Sequence, residues 1–102
     1  MKKIINGKKY NTETANEVGY ASSDLPVNDF GWWEETLYKK KTGEFFLYGS
    51  GNAASKYSTS CGQNCWSGGE NIIPLTESAA RSWAERYLSV DTYEAIFGEV
   101  DE

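Results

Sequence analysis

The 102-residue chain contains no histidine. That removes the commonest general base, the commonest metal ligand and every histidine-containing triad. The two cysteines stand together in Cys61-Gly62-Gln63-Asn64-Cys65. A structural zinc site takes four Cys or His ligands, so carboxylates would have to complete one here. The C-x-x-C spacing of a redox site is missed by one residue. Two free thiols are the expectation, with a disulfide or a metal-binding pair as the alternatives.

The paired carboxylates Glu34-Glu35 have the composition of a glycosidase acid and base. Neighbours in a strand point to opposite faces, so a single substrate cannot use both, and a solvated segment is expected. Gly49-Ser50-Gly51-Asn52 lacks the Gly-Lys-Ser/Thr ending of a phosphate-binding loop and precedes no helical pattern. Lys39-Lys40-Lys41 is the one basic run, and nearby aromatics give it the look of a single-strand nucleic-acid platform. An edge protected by lysines against aggregation explains the same run. Trp32 and Trp33 cannot both face one core. Trp66, in a polar stretch, is a candidate interface anchor. Nothing in these spacings assembles a catalytic set, and the chain reads as a binding protein rather than an enzyme.

Charge narrows the partner. Residues 1–69 hold eight Lys and seven Asp or Glu, a net +1, while residues 70–102 hold two Arg and eight Asp or Glu, a net −6. An acidic third repels nucleic acid, whose binding begins with cations on phosphates, and attracts a basic protein surface. No stretch approaches the roughly 20 apolar residues of a membrane span. The basic start Met1-Lys2-Lys3 has no apolar segment behind it, so a cytoplasmic location is expected. Four Trp, seven Tyr and four Phe supply core material, each burying on the order of 150–250 Å². One domain over residues 1–102 is expected.

The elements that position these residues follow from local pattern. Asn6-Gly7 between Lys3-Ile4-Ile5 and Lys8-Lys9-Tyr10 predicts a tight hairpin with a type I′ turn. Asn11 or Thr12 is placed to cap a short helix over Glu13–Val18, stopped by Gly19. Glu35–Lys40 and Glu44–Tyr48, joined by Lys41-Thr42-Gly43, predict a central hairpin. Its second strand is apolar on both faces and needs cover on each. Residues 49–69 read as a long Gly/Ser-rich loop. Asn71-Ile72-Ile73 reads as a last strand ended by Pro74. Thr76 caps a helix over Glu77–Leu88 with an apolar stripe. Asp91 caps a second short helix ending at Gly98, and residues 99–102 form a frayed acidic tail. The fold class is α+β: a small antiparallel sheet on a central hairpin, packed by a C-terminal helix pair and a short N-terminal helix.

The segments Lys3-Ile4-Ile5-Asn6-Gly7-Lys8-Lys9-Tyr10-Asn11-Thr12-Glu13-Thr14-Ala15, Lys40-Lys41-Thr42-Gly43-Glu44-Phe45-Phe46-Leu47-Tyr48-Gly49, Ile72-Ile73-Pro74-Leu75-Thr76-Glu77 and Tyr93-Glu94-Ala95-Ile96-Phe97-Gly98-Glu99 resemble a family of small proteins from phages and mobile elements of Firmicutes. Similar small proteins include anti-CRISPR proteins that inhibit type II-A Cas9. The resemblance implies a host protein partner, Cas9 or its guide-RNA complex, and brings no functional motif that transfers residue by residue. Cas9 has basic channels for guide and target, so carboxylates set where phosphates would lie are the expected means of binding. The candidate partner-binding residues are Asp91, Glu94, Glu99, Asp101, Glu102 and Trp66. No cofactor, metal or direct nucleic-acid contact is expected. A nucleic-acid-binding accessory protein using Lys39–Lys41, and a regulatory adaptor, are the alternative readings.

Overall fold

In the computed structural model, which describes residues 1–63 and 65–99, the centre is the hairpin of β4 (Trp33–Lys39) and β5 (Phe45–Gly51). Its turn closes with Gly43 N–H donating to the Lys40 carbonyl at 2.8 Å, and Gly43 takes a φ of 95°. β3 (Asn16–Ser22) pairs with β4, and β8 (Gly69–Leu75) pairs with β5. The four strands form one antiparallel sheet in the order β3-β4-β5-β8.

Strand alternation sorts the side chains into two cores. On one face Leu37, Phe45, Leu47 and Ala21 meet Ala80, Trp83 and Ala84 of α1 (Glu77–Tyr87), with Ile96 and Phe97 of α2 (Val90–Phe97) packed alongside. On the other, Phe46 and Ile72 meet Tyr10 of the hairpin β1 (Lys2–Ile5) and β2 (Lys8–Asn11). The expected cover on both faces of β5 is therefore supplied by helices on one side and a hairpin on the other. The Asn6-Gly7 turn has φ values of 51° and 78°, as a type I′ turn requires. α1 begins at Thr76, whose hydroxyl accepts from Ala79 N–H at 3.1 Å.

Four expectations are corrected. No helix forms over Glu13–Val18. Asn11 does accept from Glu13 N–H through Oδ1 at 2.9 Å, but its carbonyl receives Thr14 and Ala15 in a turn. Six residues hold too few hydrogen bonds to repay helix nucleation, and pairing with β4 claims the segment from Asn16. Gly19 lies inside β3 beside a bulge, and the Leu88 side chain occupies the space a Cβ would need. Pro74 does not end the last strand. It sits opposite Phe46 in β8, and an edge strand tolerates the missing N–H. α2 is capped by Ser89 rather than Asp91, with Thr92 N–H donating to Ser89 Oγ at 3.2 Å. Ser89 is as good a cap as Asp, and α2 gains Val90 as its first residue. Gly98 closes α2 at a φ of 91°.

The stretch 49–69 is more ordered than a loop. β5 continues to Gly51, and β6 (Thr59–Gly62) pairs antiparallel with β7 (Cys65–Ser67). The expected acidic tail includes Val100, Asp101 and Glu102, which lie outside the described residues.

Candidate partner-binding surfaces

Strand β4 alternates Trp33, Glu35, Leu37 on the helix side with Glu34, Thr36, Tyr38 on the other. Glu35 therefore enters the core, at 2% exposure. Lys56 Nζ lies 3.0 Å from Glu35 Oε2, the Tyr57 hydroxyl donates to the same oxygen, and Trp83 Nε1 donates to Oε1 at 3.0 Å. Gly49 faces Glu35 across the ladder, and its missing side chain admits the Tyr57 ring. Burial pushes the Glu35 carboxyl up, but the donors Tyr57, Trp83 and Lys56 together outweigh it and hold it below the ordinary value. Burial, then the hydrogen bond to Glu35, push the Tyr57 hydroxyl far up. The group is a fastening of the sheet, α1 and the segment after β5. Its acceptor oxygens are spent on the fold, which leaves it poorly placed as a general base. The solvated reading of Glu35 is thus corrected, and its position in line with Trp33 and Leu37 was the signal.

Glu34 occupies the opposite face, where Tyr20 donates to its Oε2 at 2.7 Å and Ser50 donates to its Oε1 at 3.3 Å. One strand beyond Ser50, Glu70 accepts the Tyr48 hydroxyl. The two carboxylates are two strand spacings apart, about 10 Å. The hydrogen bond to Glu70, with burial, pushes the Tyr48 hydroxyl up to about 12, and Glu34 raises Tyr20. This end of the face is lined by paired tyrosines and carboxylates.

Exposed apolar residues stand at the same end of the sheet. Leu25, Val27 and Phe30 lie in the segment between β3 and β4, with Phe30 at 76% exposure. That segment is fixed from behind: Asn52 Nδ2 donates to the Val27 and Asp29 carbonyls at 2.8 and 2.7 Å, and Ala54 N–H donates to the Phe30 carbonyl at 2.7 Å. Trp66 is 61% exposed on β7. Its hairpin is closed by a Cys61–Cys65 disulfide with a Cα–Cα distance of 5.1 Å, which corrects the expectation of free thiols. Gly62, with a φ of 145°, sits at a register shift between β6 and β7 and helps bring the thiols across the ladder. Trp33 packs on the helix side, edge-on to Tyr87 at 5.7 Å with Lys56 Nζ 4.2 Å above its ring. Trp32 is half-buried.

The basic run is partly committed to the fold. Lys40 lies 4.3 Å over the Tyr10 ring and 3.4 Å from Glu44, and Lys39 lies 5.5 Å over Phe45. Lys41 is exposed.

The structure places Asp91 and Glu94 on α2 and Trp66 on a different element, β7. Asp91 and Glu94 lie three apart on α2, hence on one side of it. Glu99 is exposed just past Gly98, and Asp101 and Glu102 fall outside the described residues. Glu94 borders a groove of about 380 Å³ between the end of α1 and the start of α2, lined also by Ala84, Glu85, Leu88, Val90 and Tyr93. Sequence reasoning missed Glu85 and Val90. Setting the cap at Asp91 left Val90 outside the helix, and the two-residue shift hid the groove. It also missed Leu25, Val27 and Phe30, whose segment offers only turn-forming residues as a signal.

Among the described residues no group of three or more His, Cys, Asp or Glu is arranged to hold a metal, and no helix is long and apolar enough to cross a membrane. No family model, curated protein or solved structure matches the chain.

Proposed function

We propose that the chain is a non-catalytic protein that binds and blocks a host nuclease, with type II-A Cas9 as the partner that the sequence resemblance implies. The observation that carries this reading is the charge of the C-terminal helix pair. Glu85, Asp91 and Glu99 are exposed there. One of its two arginines, Arg81, is occupied by Glu77 at 3.4 Å and the Tyr93 hydroxyl at 3.3 Å. Such a face suits a basic channel: attraction between opposite charges speeds encounter and fixes orientation. The exposed Phe30 and Trp66 add apolar anchors of the kind that dominate interface energetics.

The test is a Cas9 cleavage assay with the protein in excess over Cas9–guide complex, paired with size-exclusion chromatography of the mixture. Lost cleavage with co-elution supports the reading. Full cleavage and separate elution across several type II-A orthologues rejects Cas9 as the partner. The variant Asp91→Lys/Glu99→Lys separates charge from shape. Undiminished inhibition by that folded variant rejects the acidic face as the contact.

A further inference from the structure

α2 is an apolar helix that the fold covers only in part. Val90, Tyr93, Ala95, Ile96 and Phe97 make up most of its sequence, yet none of its residues is fully buried. Tyr93, Ile96 and Phe97 lean on the helix-side core. Val90 is 74% exposed. The uncovered apolar surface lines the groove shared with α1, whose lining combines Ala84, Leu88, Val90 and Tyr93 with Glu85 and Glu94. Its volume of about 380 Å³ lies within the roughly 300–1,000 Å³ usual for binding pockets.

We propose that this groove is the docking site for a basic amphipathic segment of the partner protein, presenting one or two aliphatic side chains flanked by Lys or Arg. The inference rests on the acidic helix face being partner-binding and names the chemistry that face accepts. Charge complementarity selects the occupant. Apolar side chains pack on Leu88, Val90 and Tyr93 and cations meet the exposed Glu85 of the same lining, the division of labour of an amphipathic helix taken into a groove. Arg81 of α1 is held by Glu77 and Tyr93. Arg86 lies over the Tyr87 ring at 5.4 Å. The chain's own terminal residues Asp101 and Glu102 carry the sign of the groove's carboxylates and are poor occupants by charge. A second copy could fill the groove only by bringing its lysine-rich segments to it.

The experiment is a titration of the isotope-labelled protein, followed by nuclear magnetic resonance, with a short synthetic helical peptide bearing Leu at i and i+4 and Lys at the flanking positions. A control peptide replaces every Lys with Glu. The expected result is shifts centred on Ala84, Leu88, Val90 and Tyr93, weaker at higher salt, with no binding of the Glu peptide. Val90→Asp alters an exposed position and is checked for folding by circular dichroism. It should weaken peptide binding by roughly tenfold or more, because a charge replaces an apolar contact. Shifts elsewhere, equal binding of the Glu peptide, or unchanged affinity in Val90→Asp would overturn the proposal. So would dimerisation of the protein alone, seen by light scattering and abolished by Val90→Asp, which would assign the groove to a second copy. Groove binding without Cas9 inhibition keeps this site and rejects Cas9. Cas9 inhibition equal in wild type and Val90→Asp, without peptide binding, rejects the site and keeps the inhibitor.

Discussion

The Tyr57 hydroxyl donates to the buried carboxylate of Glu35 across a separation of 22 residues. It fastens the segment after β5 onto the sheet. Trp83 Nε1 and Lys56 complete the same carboxylate, so removing the acid and removing one donor have unequal consequences. Tyr57→Phe takes away one hydrogen bond and leaves two partners, for an expected loss of about 1–3 kcal/mol. Glu35→Ala leaves the Tyr57 hydroxyl and Trp83 indole without their acceptor and opens a cavity, for an expected loss of about 3–5 kcal/mol. Urea unfolding followed by tryptophan fluorescence gives both values. A smaller loss for Glu35→Ala than for Tyr57→Phe would contradict the arrangement.

The same carboxylate shapes the acid limb of stability. Its folded pKa lies below the unfolded one. The unfolded chain therefore binds the proton first, and stability is full above the ordinary carboxylate value. It falls as pH drops below about 4.5 and on through the folded pKa. In Glu35→Gln this part of the acid limb should flatten, leaving a residue from the half-buried Glu44, which Lys8 also holds low. On the alkaline side the sign reverses for Tyr48. Its folded pKa is raised to about 12 by Glu70, so its contribution is complete below about 10 and disappears as pH rises to about 12. Absorbance of tyrosinate during alkaline titration should show one late-ionising group fewer in Tyr48→Phe. An identical titration curve would place that late step elsewhere.

How far the sequence reached can be judged from particular residues. The Asn6-Gly7 turn, the apolar faces of Phe45–Tyr48 and the Thr76 cap were legible because each depends on a few adjacent residues and elementary sterics. The Glu13–Val18 helix failed because its local capping signal was real but a non-local strand pairing outweighed it. Glu35 was misread for a related reason. A pair of adjacent acids suggests solvent, and only the partners Tyr57 and Trp83, far away in the chain, make burial affordable. The groove beside Val90 was invisible until the cap moved from Asp91 to Ser89. Chemically equivalent caps two residues apart cannot be separated by type alone. Exposure of Trp66 was anticipated as a possibility, and the disulfide that frames it depended on a ladder register that spacing does not reveal.

Gly49 offers a direct probe of the Glu35 fastening from the other strand. A Cβ at this position would overlap the Tyr57 ring, and the ring cannot withdraw without releasing its hydrogen bond to Glu35. Gly49→Ala should therefore cost about 1–3 kcal/mol as an overpacked site, although alanine is otherwise acceptable in a strand. Combined with Tyr57→Ala, which vacates the space, the alanine should cost much less than it does alone. A double-mutant cycle in urea reads the coupling. Additive losses would show that Tyr57 and residue 49 do not compete for the same volume.

The Cys61–Cys65 bridge closes a very short loop in a hairpin whose strand residues are all exposed. A loop of about five residues restricts the unfolded chain by about 2 kcal/mol in the chain-entropy account, and that restriction acts on β6 and β7 more than on the central sheet. Reduction by a dithiol, which supplies two electrons and two protons to the bridge as it is itself oxidised to a disulfide, should loosen this hairpin first. Trp66 reports it. Its accessibility to a soluble quencher should rise on reduction, and amide exchange should quicken over β6 and β7, while exchange at Leu37, Leu47 and Ile72 stays slow. The Cys61→Ser/Cys65→Ser variant should match the reduced protein in both readouts without any reductant. If reduction instead collapses protection across β4 and β5, the bridge holds the whole fold, and the hairpin is not the separable element its exposure implies.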